Sequence, residues 1–534
     1  MEEFDYIVVG AGPGGCVVSS RLTEDPAVSV ALLESGPDRR GLLNVNLALG
    51  SATLVPRKTA SNYAFDTVVD KGLNNRRAFH PIGRGLGGGT AINNAMYIRG
   101  HSGDYDEWAA LGNPGWSYAD VLPYFKRAEN NQTYRNEFHG NAGPVWVEDL
   151  RTDNPYHAIV KQACAEAGLP YCPDFNGAEQ EGYNTTQVTM KNGERNNAGK
   201  AYILPHLGVR QNLRLFVDTT CTRILFENKR AVGVEVISNG ECRQIRARRE
   251  VIVSSGGLLS AKLLQLSGVG NGQDLQALGI PVVHDRRAVG ENLQDHIDVV
   301  LGYHIPGDPN LLGISPTAAG AVLTAVRRYK NERRGMGATN FAEVTGFMKL
   351  TPESARSEIQ YEFVIALAMD HGRKVLPQHG MSAHVLLLRP KSSGTVKLAS
   401  GNFEDDPLID FRYYNHPNDL TTMVEGVKRT AAIFNTPTFK RLVKRDLVTA
   451  HCKTDDDWAE FCRNVGGTNY HPVGSCRMGL GDDSVVDARL RVHGMQGLRI
   501  VDSSIFPKIM GGNTMTPSIM VGEKGADMIK EDWK

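Results

Sequence analysis

The sequence predicts an α/β fold: a mostly parallel sheet of Rossmann type joined to a second domain built on an antiparallel sheet. Three observations carry this. A strand, a glycine-rich turn, a helix and a second strand follow one another within residues 4–34. Strand-like runs at 359–367, 383–388 and 395–398 cluster in the later part of the chain. The length of 534 residues leaves room for several domains at about 150 residues each, and for a large buried core.

Composition excludes several function classes. Lys+Arg and Asp+Glu are both 59, so the formal net charge is zero. A nucleic-acid binder needs a basic surplus to displace counterions from phosphate, so none is expected as a partner. No apolar run reaches the roughly 18 residues of a membrane span. The eight cysteines are scattered, with no CxxC pair and no metal-ligand spacing, and no metal site is expected. Met1 is followed by two glutamates and then by the strand Phe4–Val9, which does not read as a leader. Reduced thiols and a cytoplasmic location are the expectation.

Each element of the first unit has a reason. Residues 4–15 read FDYIVVGAGPGG, a β-branched strand running into GxGxxG. The helix-compatible CVVSSRLTE follows, then the apolar strand Val28–Leu33 ending in Glu34. This is the dinucleotide fingerprint in its strand–turn–helix–strand context. Gly10 makes the tight turn, Gly12 lets the backbone approach a pyrophosphate, and Gly15 lets helix and strand pack closely. The free N–H groups of the helix start face the phosphates. Glu34, 19 residues after Gly15, is placed to accept from ribose hydroxyls. The fingerprint alone does not separate FAD from NAD.

Residues 83–106 read GRGLGGGTAINNAMYIRGHSGDYD. The triple glycine Gly87–Gly89 permits a backbone approach no side chain would allow. The segment resembles the first signature of the glucose–methanol–choline (GMC) flavin oxidoreductases, without departure. Residues 256–270, GGLLSAKLLQLSGVG, are similar to the second signature, departing at Gly257 and Ala261. Further landmarks are VGENLQDH at 289–296, VGGTNYHPVGSCRMG at 465–479 and the segment 497–529, so the resemblance spans nearly the whole chain. It implies FAD as cofactor. The contacts it implies come from Gly10, Gly12, Gly14, Gly15, Glu34, Arg84, Gly88, Gly89, Thr90, Asn93, Asn94, Cys221, Asp502, Thr514 and Pro517.

The same resemblance assigns the chemistry. His471, in Asn469-Tyr470-His471-Pro472, matches the family's active-site histidine. The following Pro keeps its backbone extended. Asn513 stands where members carry His or Asn. The implied reaction is oxidation of an alcohol, a primary one in the first place, to the aldehyde or ketone. His471 is the general base and Asn513 orients the oxygen. Oxygen or another acceptor then drains the flavin; the sequence does not choose between oxidase and dehydrogenase. The alternative carried by the same fold is a flavin-containing lyase or light-driven decarboxylase.

At the carboxyl end, strand Leu498–Val501 leads to Asp502, and Thr516 is expected to cap a helix with Pro517 at its first position. His80 lies upstream of the glycine-rich segment. In some family members a histidine nearby bonds covalently to the flavin, and the expectation here is a non-covalent pocket residue. The basic run Arg327–Lys330 with Arg333 and Arg334 reads as a solvated face, with peripheral membrane attachment as the alternative. Residues 1–150, 196–305 and 465–534 are expected to form the FAD domain, and 151–195 with 306–464 the substrate domain. The stretch 306–345 reads as a cover over the pocket. The oligomeric state is left open.

Overall fold

The computed structural model describes residues 2–313, 316–376 and 378–534. The strands that position the site are β1 (Glu2–Val9), β2 (Val30–Leu33), β3 (Gly182–Thr185), β4 (Leu213–Phe216), β5 (Thr219–Glu227), β6 (Arg230–Ser238) and β7 (Glu241–Val253). They continue with β8 (Ile297–His304), β9 (Ala342–Met348), β10 (Ile359–Val364), β11 (Gly380–Leu387), β12 (Arg445–Asp446), β13 (Gly467–Thr468) and β14 (Leu498–Ile500). The helices are α1 (Pro13–Leu22), α2 (Ser102–Ala110), α3 (Tyr118–Ala128), α4 (Gly256–Leu266), α5 (Pro316–Glu332) and α6 (Met515–Asp532).

Among the described residues these strands form two large sheets. The first has the order β4-β2-β1-β7-β6-β5, with β14 beside β7. Its pairs β4/β2, β2/β1, β1/β7 and β7/β14 are parallel, and only β7/β6 and β6/β5 turn back. Burial explains the composition: β2 and the second half of β1 are covered on both faces, so they read as unbroken apolar runs.

The second sheet, β12-β8-β11-β10-β9-β3 with β13 beside β8, is antiparallel at every pairing. The runs expected at 359–367 and 383–388 are β10 and β11. The run at 395–398 departs from expectation: Thr395–Lys397 pairs with Leu408–Asp410 in a separate ribbon. Backbone bonds from Val396 N–H to Gly290 (2.7 Å) and from Gly394 N–H to Leu293 (2.8 Å) draw it away. β8 and β13, from the stretches around 300 and 468, also pair in this second sheet rather than the first.

The helix α6 lies along α1 and α3, joined by a buried charge. Glu523 is 0% exposed. It accepts from Arg21 at 2.8 and 2.9 Å, from Arg127 Nε at 2.7 Å and from the Tyr202 hydroxyl at 2.7 Å. In the stretch expected as a cover, residues 314–315 lie outside the described residues, and α5 follows. The basic run is engaged locally: Arg328 and Arg334 pair with Asp153 at 2.7 Å, and Arg333 with Glu194 at 2.8 Å. Among the described residues no helix is long and apolar enough to cross a membrane.

Candidate active site

A cavity of about 1010 Å³ runs from the ends of β1, β2, β7 and β14 to the face of the second sheet. Open α/β sheets gather ligands at these carboxyl ends. Of the residues singled out from sequence, Gly10, Gly12, Gly14, Glu34, Arg84, Gly88, Gly89, Thr90, Asn93, Asn94, Cys221, Asp502, Thr514, His471 and Asn513 stand on its wall. Gly15 and Pro517 lie behind it. His80 is fully buried against Phe411, both ring nitrogens lack a partner, and burial holds its pKa down to about 3.

The cradle fits FAD. Gly10 has φ +105°, and a Cβ there would sit 2.5 Å from the Ser254 carbonyl oxygen. A Cβ on Gly15 would strike the Gly10 carbonyl, which is why this helix can press against its strand. At Gly89 a Cβ would meet nothing within 4 Å, so that backbone looks into open cavity. Glu34 does more than the sequence suggests. Its carboxylate accepts from the N–H groups of Ala11 (3.0 Å), Gly36 (2.8 Å) and Gly85 (2.9 Å), tying the first glycine turn to the second. The Ser35 hydroxyl also reaches Oε1, at 3.4 Å, whereas Oε2 takes only the Ala11 N–H and keeps a lone pair for a ribose hydroxyl. Asp502 accepts from Gly256 N–H (2.9 Å) and the Ser260 hydroxyl (2.6 Å), locking β14 to the start of α4.

The start of α6 corrects the sequence reading. The helix begins at Met515 with Thr514 as N-cap, because the Thr514 carbonyl already accepts from Ser518 N–H at 3.1 Å. Thr516 is inside the first turn, and its hydroxyl has no partner. Pro517 is the third helical residue. Its missing N–H falls among the unpaired first-turn donors, so no bond is lost. The helix N-terminus still faces the cavity through Thr514, Met515 and Ser518.

His471 and Asn513 meet: Asn513 Nδ2 is 3.2 Å from His471 Nε2. The loop after β13 holds His471 by its backbone, whose N–H donates to Asp295 Oδ1 at 2.8 Å. The other oxygen of Asp295 takes the Tyr413 hydroxyl at 2.6 Å, and burial pushes its pKa up to about 7. Asn513 is oriented by Gln360, which donates to its Oδ1 at 3.4 Å, leaving the amide nitrogen toward the imidazole.

A second histidine fixes the proton. His296 Nε2 lies 3.0 Å from the Leu388 carbonyl, which can only accept, so Nε2 carries the hydrogen. Burial lowers the His296 pKa to about 3, keeping it neutral. Its Nδ1 is therefore an acceptor, and the His471 Nδ1 at 3.0 Å must donate to it. His471 is left with an unprotonated Nε2 on the cavity wall, whose lone pair accepts the Asn513 amide N–H at 3.2 Å. Burial, with His296 adding, lowers the His471 pKa well below the ordinary value.

Sequence reasoning missed His296, although it ends the flagged landmark 289–296. It also missed the polar row on the second sheet. Glu362 faces His384 across the β10/β11 register, and both line the cavity. His384 Nδ1 is 2.6 Å from Asp298; burial opposes the imidazolium, but Asp298 outweighs it and raises its pKa. Glu362 accepts from Gln360 Nε2 at 2.9 Å, and burial raises its pKa to about 7.

A dinucleotide cradle shares one cavity with a neutral imidazole, as an FAD-dependent oxidoreductase acting on CH–OH donors requires, and comparison with known proteins shows the chain to be of that class. The particular family follows from comparison: GMC oxidoreductase profiles match residues 4–298 and 390–522, and the chain belongs to that family. It is 40% identical over 530 residues to an alcohol dehydrogenase [acceptor] of Pseudomonas putida, covering 98% of this chain and 95% of the relative. It is 37% identical to the mitochondrial choline dehydrogenase of Homo sapiens, covering 99% and 90%. An FAD-dependent oxidoreductase from Chaetomium thermophilum superposes with a TM-score of 0.88 at 27% identity, covering 99% of both chains. The lyase or decarboxylase reading draws no support from these relatives.

Proposed function

We propose that this alcohol oxidoreductase takes a primary alcohol to its aldehyde, with His471 and Asn513 as the groups that hold the reacting hydroxyl. The observation that carries this is the unprotonated Nε2 of His471, 3.2 Å from the Asn513 amide, on a wall shared with the glycine cradle. His471 takes the hydroxyl proton at Nε2. Asn513 keeps the oxygen in line, a positional contribution. FAD, when bound, supplies the hydride acceptor. The contacts to it are assigned to the cavity-wall residues of the two glycine turns, with Asp502 and Thr514.

The apolar wall beyond the pair, Phe341, Val364, Ala366 and Leu367, supports a short carbon chain. The names of the relatives support an alcohol or choline-type donor, with oxygen or another acceptor. A cytoplasmic location belongs to the same reading and rests on eight cysteines that are all free.

The test is an anaerobic series of alcohols, choline included, added to the holoenzyme while the flavin absorbance is followed, and then readmission of air. Bleaching by a primary alcohol supports the reading, and recovery in air identifies oxygen as acceptor. A flavin that stays oxidised with every alcohol contradicts it.

A further inference from the structure

Two adjacent residues at the exit of β11 reach both halves of the His471–Asn513 pair. The Leu388 carbonyl holds His296, and through it the proton of His471. Arg389, the next residue, grips Asp104 of α2 with Nε and Nη2. The distances to Oδ1 are 3.0 and 2.8 Å, and Nη2 reaches Oδ2 at 3.1 Å. Its remaining nitrogen bonds the Ser357 carbonyl. Asp104 is 3% exposed. Its Oδ2 accepts the Gly511 N–H at 2.7 Å, while Gln180 donates to the Gly511 carbonyl at 2.9 Å. Both backbone polar groups of Gly511 are thus held, two residues before Asn513. A Cβ on Gly511 would overlap the Arg389 guanidinium, so the glycine is needed for the arginine to lie flat there.

We propose that the Arg389–Asp104 pair is a positioning device that sets the reach of Asn513 onto His471, acting through the Gly511 peptide. The inference rests on the reading of His471 and Asn513 given above. Its physical content is rigidity. A two-pronged guanidinium–carboxylate contact fixes angle as well as distance, and a lysine ammonium cannot reproduce it. Neither residue lines the cavity, so an effect on the reaction passes either through the Gly511 loop to Asn513 or through Leu388 and His296 to His471, and the Asn513→Ala background separates the two routes.

The experiment is a double-mutant cycle on the holoenzyme, reading the rate of flavin reduction by a saturating alcohol in anaerobic rapid mixing. The proteins are the parent, Arg389→Lys, Asn513→Ala and the double variant. Arg389→Lys is expected to slow reduction about 10-fold in the parent. In the Asn513→Ala background its further effect is expected to be under about 2-fold, because the group it positions is already gone. The alcohol concentration at half-saturation stays within about 2-fold in Arg389→Lys, since substrate binding is not its task. Equal losses in both backgrounds, or no loss in the parent, overturn the proposal. Should Asn513→Ala itself reduce at the parent rate, the role of Asn513 fails instead, which separates the two claims. If Arg389→Lys yields no folded flavoprotein, Gly511→Ala, whose methyl displaces the same guanidinium, completes the cycle with the same two outcomes.

Discussion

The Nδ1 atoms of His296 and His471 face each other at 3.0 Å, with the two rings nearly perpendicular at 86°. Only one of these atoms carries a hydrogen, and the Leu388 carbonyl decides which. A neutral imidazole has one donor and one acceptor. His296 uses its donor on Leu388, so His471 must donate to it and keep Nε2 unprotonated, facing the Asn513 amide at the cavity wall. Replacing His296 by Ala frees the His471 tautomer. Flavin reduction is expected to fall by about 10- to 100-fold, the range over which an orienting partner acts on a base. His296→Gln, which offers one acceptor and one donor, is expected to recover part of the loss. Rapid mixing of both variants checks the ranking; Gln no better than Ala would remove the tautomer argument.

Burial holds His471 neutral far below the usual histidine range. An exposed imidazole would gain a proton near pH 6.5 and stop acting as a base. His471 itself is therefore expected to contribute no step to the rate of flavin reduction as pH falls from 8 through 6; Asp295 and Glu362, at about 7, are the groups that titrate in this range. A single-proton decline centred near 6.5 that is abolished in His471→Ala and unchanged in Glu362→Gln would show that His471 titrates normally.

Glu362 titrates in the opposite sense. Its folded pKa of about 7 lies above the ordinary 4.5. The unfolded chain thus releases this proton at lower pH than the native protein does, and stability drains away as pH rises from 4.5 to 7, then levels. Glu362→Gln, neutral throughout, avoids that loss. Its stability advantage over the parent is expected to open across this window, to roughly 3 kcal/mol at about 1.4 kcal/mol per pKa unit. Denaturant titrations at pH 5 and 8 measure it; an advantage that shrinks with rising pH would contradict the assignment.

Glu523 is a structural charge. It balances Arg21 and Arg127 where α6 meets α1 and α3. Removing Glu523 leaves Arg21 and Arg127 partly exposed with Glu24 and Asp527 still beside them, but strands the buried Tyr202 hydroxyl, at a cost of about 1–3 kcal/mol. Glu523→Ala is expected to lower the unfolding midpoint correspondingly, and a change under about 1 kcal/mol would show the site to be solvated.

What the sequence disclosed, and what it concealed, divides along the chain for a physical reason. Gly10, Gly15 and Glu34 are legible because a turn, a close packing and an acceptor must occur at fixed spacing within one β–α–β unit. His471 and Asn513 are legible only through resemblance, since nothing local marks them. His296, Asp104, Arg389 and Glu362 are not legible. His296, Asp104 and Arg389 gain their roles from partners more than a hundred residues away, and Glu362 from its place opposite His384 in the β10/β11 register. The misread start of α6 has a different cause. Thr516-Pro517 has the composition of a helix start, but the Thr514 carbonyl makes its bond to Ser518 first.

The most direct test of the whole account is the rate at which a primary alcohol bleaches the flavin of His471→Ala in anaerobic rapid mixing. The account predicts a rate at least about 100-fold below the parent, and a larger loss than Asn513→Ala causes. Reduction of His471→Ala at the parent rate would contradict it.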